Sequence, residues 1–124
     1  MPIFVRWRRL ESALSPFYRD EHLYVDLRHE LVTLDGQVLT LTQKEYCFLL
    51  LLVRHAGESL PRKTFEMRVW GHVLGAQSRQ VDIHIRWLRK KLGIYGKQRI
   101  ETVHGVGYRF LLASPPRDGG LFVV

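Results

Sequence analysis

The chain has 124 residues, with 19 Lys and Arg against 12 Asp and Glu, a net charge of +7. That length implies one domain, the apolar fraction of 46% is that of a globular protein, and the positive excess points to a polyanionic partner, either nucleic acid or an anionic surface. The lone Cys47 excludes a disulfide framework and fits a reducing compartment, the run Tyr46–Val53 is too short to span a bilayer, and Arg6, Arg8 and Arg9 lack the apolar core of a secretory signal behind them.

In chain order, Ile3, Phe4, Trp7, Leu10 and Leu14 recur at helical spacing and predict a short amphipathic helix that Ser15-Pro16 breaks. Residues 1–20 read as a linker or the remnant of a preceding element. Leu23-Tyr24-Val25, Leu31–Leu34 and Gln37–Thr40 are short β-prone runs, and Asp35-Gly36 between the last two is a hairpin signal, so a small antiparallel sheet is expected. Thr42, with Glu45 three residues on, forms a capping box opening a helix whose core stripe is Tyr46, Leu49, Leu50 and Val53. A second helix is predicted from Arg62 to Trp70, opened near Pro61 and stopped by Gly71. After a loop over 71–77, a third runs from Arg79 to Leu92, with Ser78 as N-cap and Gly93 as stop. Ile100, Thr102 and Val103 lead into a hairpin turned by Gly105 and Gly107, with Tyr108, Phe110 and Leu112 alternating on the return. The tail at 114–124 holds Pro115-Pro116 and Gly119-Gly120 and is expected to be disordered, leaving 21–113 as the folded domain.

The third helix, VDIHIRWLRKKL at its heart, is the most informative stretch. Projected at about 100° per residue, Val81, Ile85, Leu88 and Leu92 form a core stripe. Opposite lie Arg79, Ile83, Arg86, Trp87 and Lys90, with His84 and Lys91 on one flank and Asp82 and Arg89 on the other. A face meant for solvent alone mixes Lys with Glu; this one has a single acid, Asp82, spaced to pair with Arg86. Such a face suits a major groove, where Arg and Lys meet phosphates or guanine edges and apolar groups meet the thymine methyl. The hairpin adds Arg99, His104 and Arg109 at the same end of the chain, and a narrow ribbon with a cationic tip suits a minor groove. No nucleophile–base arrangement, phosphate-cradling loop, paired carboxylates or metal-ligand spacing is present, so neither catalysis nor a metal or other cofactor is expected.

Taken together, VW-G at 69–71, SR-VD-HIR-LRKKL across 78–92 and TV-GVGYRF across 102–110 resemble the winged-helix effector domain of OmpR/PhoB-type bacterial response regulators. The resemblance runs from about Leu23 to Leu112. It implies an α+β, winged helix-turn-helix fold: an N-terminal four-stranded antiparallel sheet, a three-helix core and a C-terminal hairpin wing. It also implies sequence-specific binding of double-stranded promoter DNA, often as a homodimer on direct repeats, in the cytoplasm and away from any membrane. Control would come from a phosphorylated receiver domain and its histidine kinase. Carried over by position, Arg79, His84, Arg86, Arg89 and Lys90 would face DNA, Trp70 and Tyr108 would touch its backbone, and Thr102 a phosphate in the wing. Gln80, Ile83, Trp87 and His104 complete the candidate DNA-binding set, and the 71–77 loop matches a segment that in some members touches RNA polymerase.

Four positions depart from the pattern. Trp87 and His104 stand where many members have arginine, Pro61 replaces a usual serine cap, and Glu66 takes a usually apolar place. Trp87 cannot make the bidentate guanine contact of arginine, so thymine methyls or DNA shape are expected to matter more beneath it. Histidine changes charge between about pH 5 and 8. DNA affinity is therefore expected to rise from about pH 7.5 to about pH 6, and His104→Arg to reduce the dependence; binding curves at both pH values check this, and a flat wild-type profile removes it. The rival readings are a winged helix that meets an acidic protein, or the DNA-binding domain of a regulator not controlled by phosphorylation.

Overall fold

The computed structural model describes residues 16–112. The helix expected over 3–14 and the tail at 114–124 lie outside them. The chain divides into two compact units, with the break between Thr40 and Leu41.

In the first unit, β1 (Phe17–Arg19), β2 (Leu23–Asp26), β3 (Leu31–Leu34) and β4 (Gln37–Val38) form an antiparallel sheet in sequential order. Tyr18 pairs with Val25 and Val25 with Val32, and this row is buried on one face. The Asp35-Gly36 turn joins β3 to β4 with positive φ at both residues, 50° and 82°, as the tightest hairpin turn demands. β1 is the fourth strand that the resemblance implies, although no run of residues marked its place. Its turn into β2 is closed by Asp20, whose carboxylate accepts the backbone N–H groups of His22 and Leu23, both at 2.8 Å, and the Tyr18 hydroxyl at 2.6 Å.

The second unit holds α1 (Gln43–Arg54), β5 (Ser59–Pro61), α2 (Arg62–Val69), α3 (Gln80–Leu92), α4 (Ile94–Arg99), β6 (Ile100–Val103) and β7 (Gly107–Phe110). The capping box opens α1 as read: Thr42 Oγ1 accepts the Glu45 N–H at 3.1 Å and Glu45 Oε1 accepts the Thr42 N–H at 2.9 Å. Residues 45–53 of α1 are all buried, which makes it the spine of this unit. Burial pushes the Cys47 thiol up to about 12, against a smaller opposing influence of Arg68, so the thiol stays protonated and unreactive.

Helix α2 ends at Val69, one residue short of the expected Trp70. Glu66, the acid at a usually apolar position, is buried and accepts the Leu74 N–H at 3.2 Å, so it ties down the loop after α2. The third helix begins one residue late: Arg79 takes the N-cap place and makes no side-chain cap, while Ser78 Oγ accepts the Gln80 N–H at 3.3 Å.

The wing is a β6–β7 hairpin widened by β5, in the order β5-β7-β6. Pro61 sits on the edge strand β5, where its missing N–H costs no ladder bond. Gly107 lies opposite Pro61, and a methyl group there would run into the Leu60 carbonyl oxygen, so only glycine lets the strands approach. With α2 and α3 followed by this hairpin, the fold is α+β and a winged helix-turn-helix. No helix among the described residues is long and apolar enough to cross a membrane.

Candidate nucleic-acid interface

Helix α3 faces the interior with Val81, Ile85, Leu88 and Leu92, each at most 2% exposed. It is fastened to the start of α1 by Lys91 Nζ and Glu45 Oε1 at 2.6 Å, with Glu45 itself buried. Burial alone would raise the Glu45 carboxyl, but the Lys91 ammonium and the Thr42 N–H outweigh it and hold the group below the usual carboxylate range.

The face turned away from the core carries Arg79, Gln80, Arg86, Trp87 and Lys90, all exposed, with Ile83 half-buried among them. Arg86 and Lys90 have no ion-pair partner among the described residues. The acid expected to pair with Arg86 is engaged elsewhere: Asp82 Oδ1 accepts from Arg62 Nε and Nη2, both at 3.0 Å, and from the Tyr108 hydroxyl at 2.5 Å. Burial pushes Asp82 up, yet the Tyr108 and Arg62 bonds, with the charges of Arg62 and Arg79, bring it below its ordinary value. Tyr108 is pushed up to about 12 by burial and by the bond and charge of Asp82, so its hydroxyl remains a donor.

Several candidates sit elsewhere than the sequence placed them. Tyr108 is 5% exposed and spends its hydroxyl on Asp82, so it braces α3 against the wing instead of facing outward. His84 is 7% exposed; its ring stacks on Phe48 at 5.4 Å, meets the edge of Trp70 at 5.3 Å and donates from Nδ1 to the Gln80 carbonyl at 2.7 Å. Trp70 is half-buried in the same cluster, edge-on to Phe48 at 6.0 Å. Arg89 reaches across to the wing, where Nη2 donates to the Ile100 carbonyl at 2.7 Å and to Thr102 Oγ1 at 3.0 Å. Thr102 is thereby engaged as well. Arg89 and Arg62 also lie over the Tyr108 ring, at 5.5 Å and 5.9 Å from its centroid.

The hairpin keeps one exposed titratable group at its tip, His104, beside Gly105 at φ 79° and the exposed Val106. Arg99 and Arg109, read as adding charge there, are otherwise occupied. Arg99 is buried over the Tyr95 ring at 4.9 Å, and Arg109 pairs with Glu101 across the strands. The exposed candidates therefore reduce to Arg79, Gln80, Arg86, Trp87 and Lys90 on α3, with half-buried Ile83, and His104 on the wing. Sequence reasoning missed the Arg62–Asp82–Tyr108 brace. Its members lie 20 and 26 residues apart along the chain, and no local spacing signals that contact.

The family model described as "Transcriptional regulatory protein, C terminal" matches residues 36–110. The transcriptional regulatory protein QseB of Escherichia coli O157:H7 is 39% identical over 101 residues, covering 82% of this chain and 45% of QseB. The response regulator ArlR of Staphylococcus saprophyticus is 47% identical over 78 residues, covering 62% of this chain and 36% of ArlR. This chain thus spans less than half the length of these curated relatives. Among solved structures, the DNA-binding domain of CpxR from E. coli superposes with a TM-score of 0.73 at 31% identity, covering 81% of this chain and all of that one. The Klebsiella pneumoniae RstA DNA-binding domain, solved with its RstA box, gives 0.71 at 30% identity, covering 77% and 96%. The chain belongs to the transcriptional regulatory protein C-terminal family, the winged-helix effector domains of OmpR/PhoB-type response regulators.

Proposed function

We propose that this chain binds double-stranded promoter DNA in a sequence-specific manner to regulate transcription, as the effector part of a two-component response regulator in the cytoplasm. Helix α3 enters the major groove and the wing tip at His104 reaches the flanking minor groove. The observation that carries this reading is the open face of α3: Arg79, Arg86 and Lys90 exposed together beside Trp87, on a chain of net charge +7. A solved relative, RstA, bound to its own DNA box supports the same use of the fold. The exposed loop residues Gly71, His72 and Val73 follow α2 and offer a contact for RNA polymerase. A receiver domain and its histidine kinase would control the full-length protein, and direct-repeat sites would seat a homodimer.

Competition binding with promoter fragments against random duplex, repeated across a salt series, tests the reading. Specific binding beats random duplex by about 10³-fold or more and weakens steeply with salt, because each neutralised phosphate releases counterions. No preference for any fragment, with retention of an acidic protein instead, would favour a protein-interaction module.

A further inference from the structure

Among the exposed residues of α3, Trp87 is the one large apolar side chain. It is 49% exposed and stands one helical turn after Ile83 and one before Lys90, with Arg86 beside it. Resting on the DNA-binding reading above, we propose that Trp87 is a methyl reader: its indole face packs on the C5 methyl of a thymine in the major groove and makes that base a required letter of the site.

The indole is held in place before any ligand arrives. Its ring lies 5.2 Å from the His84 ring, tilted by 60°. His84 in turn stacks on Phe48, which stacks on Phe65 at 4.9 Å, and the Gln80 carbonyl fixes the imidazole. A line of aromatic rings thus runs from the centre of the unit to its surface, and Trp87 is its outermost member. An exposed indole supported this way has little rotamer freedom left to lose on binding, and this pre-organisation favours contact.

The chemistry of the partner follows from the surroundings. Arg79, Arg86 and Lys90 draw a polyanion to this face, and an apolar ring among them gains only if that polyanion offers an apolar group. In the major groove that group is the thymine methyl. Guanine is the poorer match, because the indole has a single N–H and cannot supply the two-bond fork that guanine O6 and N7 accept. 5-Methylcytosine presents its methyl at the equivalent pyrimidine position. A base-paired cytosine there should therefore bind better methylated than bare, which would make recognition sensitive to cytosine methylation.

Sites selected from a random duplex pool by the full 124-residue chain supply the probe. Each thymine of the selected duplex is then replaced singly by deoxyuridine, which removes the methyl and nothing else. The expected result is about fourfold weaker binding at one position, the value of burying one methyl group, and near-neutral replacement elsewhere. In Trp87→Ala the thymine and uracil duplexes bind alike at that position, and in Trp87→Arg selection shifts there to guanine. A 5-methylcytosine duplex at the same position binds more tightly than its unmethylated counterpart for the wild type only. Uracil replacement that costs nothing anywhere, or costs the same in Trp87→Ala as in the wild type, overturns the proposal while leaving DNA binding intact. Failure to select any sequence overturns the proposal together with the reading it rests on.

Discussion

Truncating Phe48 to alanine is expected to lower folding stability by about 3–5 kcal/mol, the cost of emptying a buried aromatic site. Phe48 has no exposed surface, and its ring contacts those of Phe65, His84 and Trp70. Removing it opens a void where α1 meets α2 and α3, and also takes away the support beneath His84 and Trp87. Denaturant unfolding followed by tryptophan fluorescence measures the loss, and Phe48→Leu, which keeps most of the volume, recovers part of it. A loss below about 1 kcal/mol, the ordinary effect of a substitution, would mean that the aromatic line does not organise this unit.

The second large effect concerns Asp82. Asp82→Ala strips the acceptor from the buried Tyr108 hydroxyl and from Arg62 at once, and about 2 kcal/mol of stability is expected to go with the charged hydrogen bonds. The pH dependence has a definite sign. The Asp82 carboxyl titrates lower in the folded chain than in the unfolded one, so the folded state binds fewer protons in acid. Its contribution is complete above the unfolded carboxylate value of about 4 and fades as pH falls through the lower folded value. Glu45 and Asp26 are depressed too and act in the same direction. Asp82→Asn should flatten the acid limb of the stability curve while removing stability at neutral pH. Thermal unfolding from about pH 7 to about pH 3 checks this; identical acid limbs in wild type and variant would refute the brace.

The parts of the fold that were legible had local signals. Asp35-Gly36 marked the β3–β4 hairpin, Thr42 with Glu45 marked the start of α1, and the stripe Val81, Ile85, Leu88, Leu92 oriented α3. β1 and β5 were not legible, because three residues are too few to show an alternation. α4 was hidden by Gly96, a poor helix former at that position, yet a side chain there would press on the Arg89 carbonyl and the Leu92 Cβ at 2.9 Å, so the helix needs glycine to sit against α3.

The candidate site divides along the same line. Exposed cations could be placed by angle alone. His84 sat on the flank of the projection, where a helix wheel cannot separate buried from exposed, and tertiary packing drew it inward. Tyr108 alternates with Phe110 on β7 and both are buried, with the partly exposed Arg109 between them, so period-two alternation pointed inward where the resemblance pointed to the DNA backbone. Arg89 has a side chain long enough to choose between solvent and the Ile100 carbonyl, a choice that depends on a strand 11 residues away.

The claim on which the rest depends is that the open face of α3 neutralises DNA phosphates, and the salt dependence of binding by the Arg86→Ala/Lys90→Ala double variant tests it most directly. Each lost phosphate contact lowers the slope of log K against log salt by about 0.9, so the double variant should lose close to 2 units of slope while its unfolding midpoint stays near that of the wild type. A slope unchanged from the wild type, in a variant that folds normally, would contradict the account.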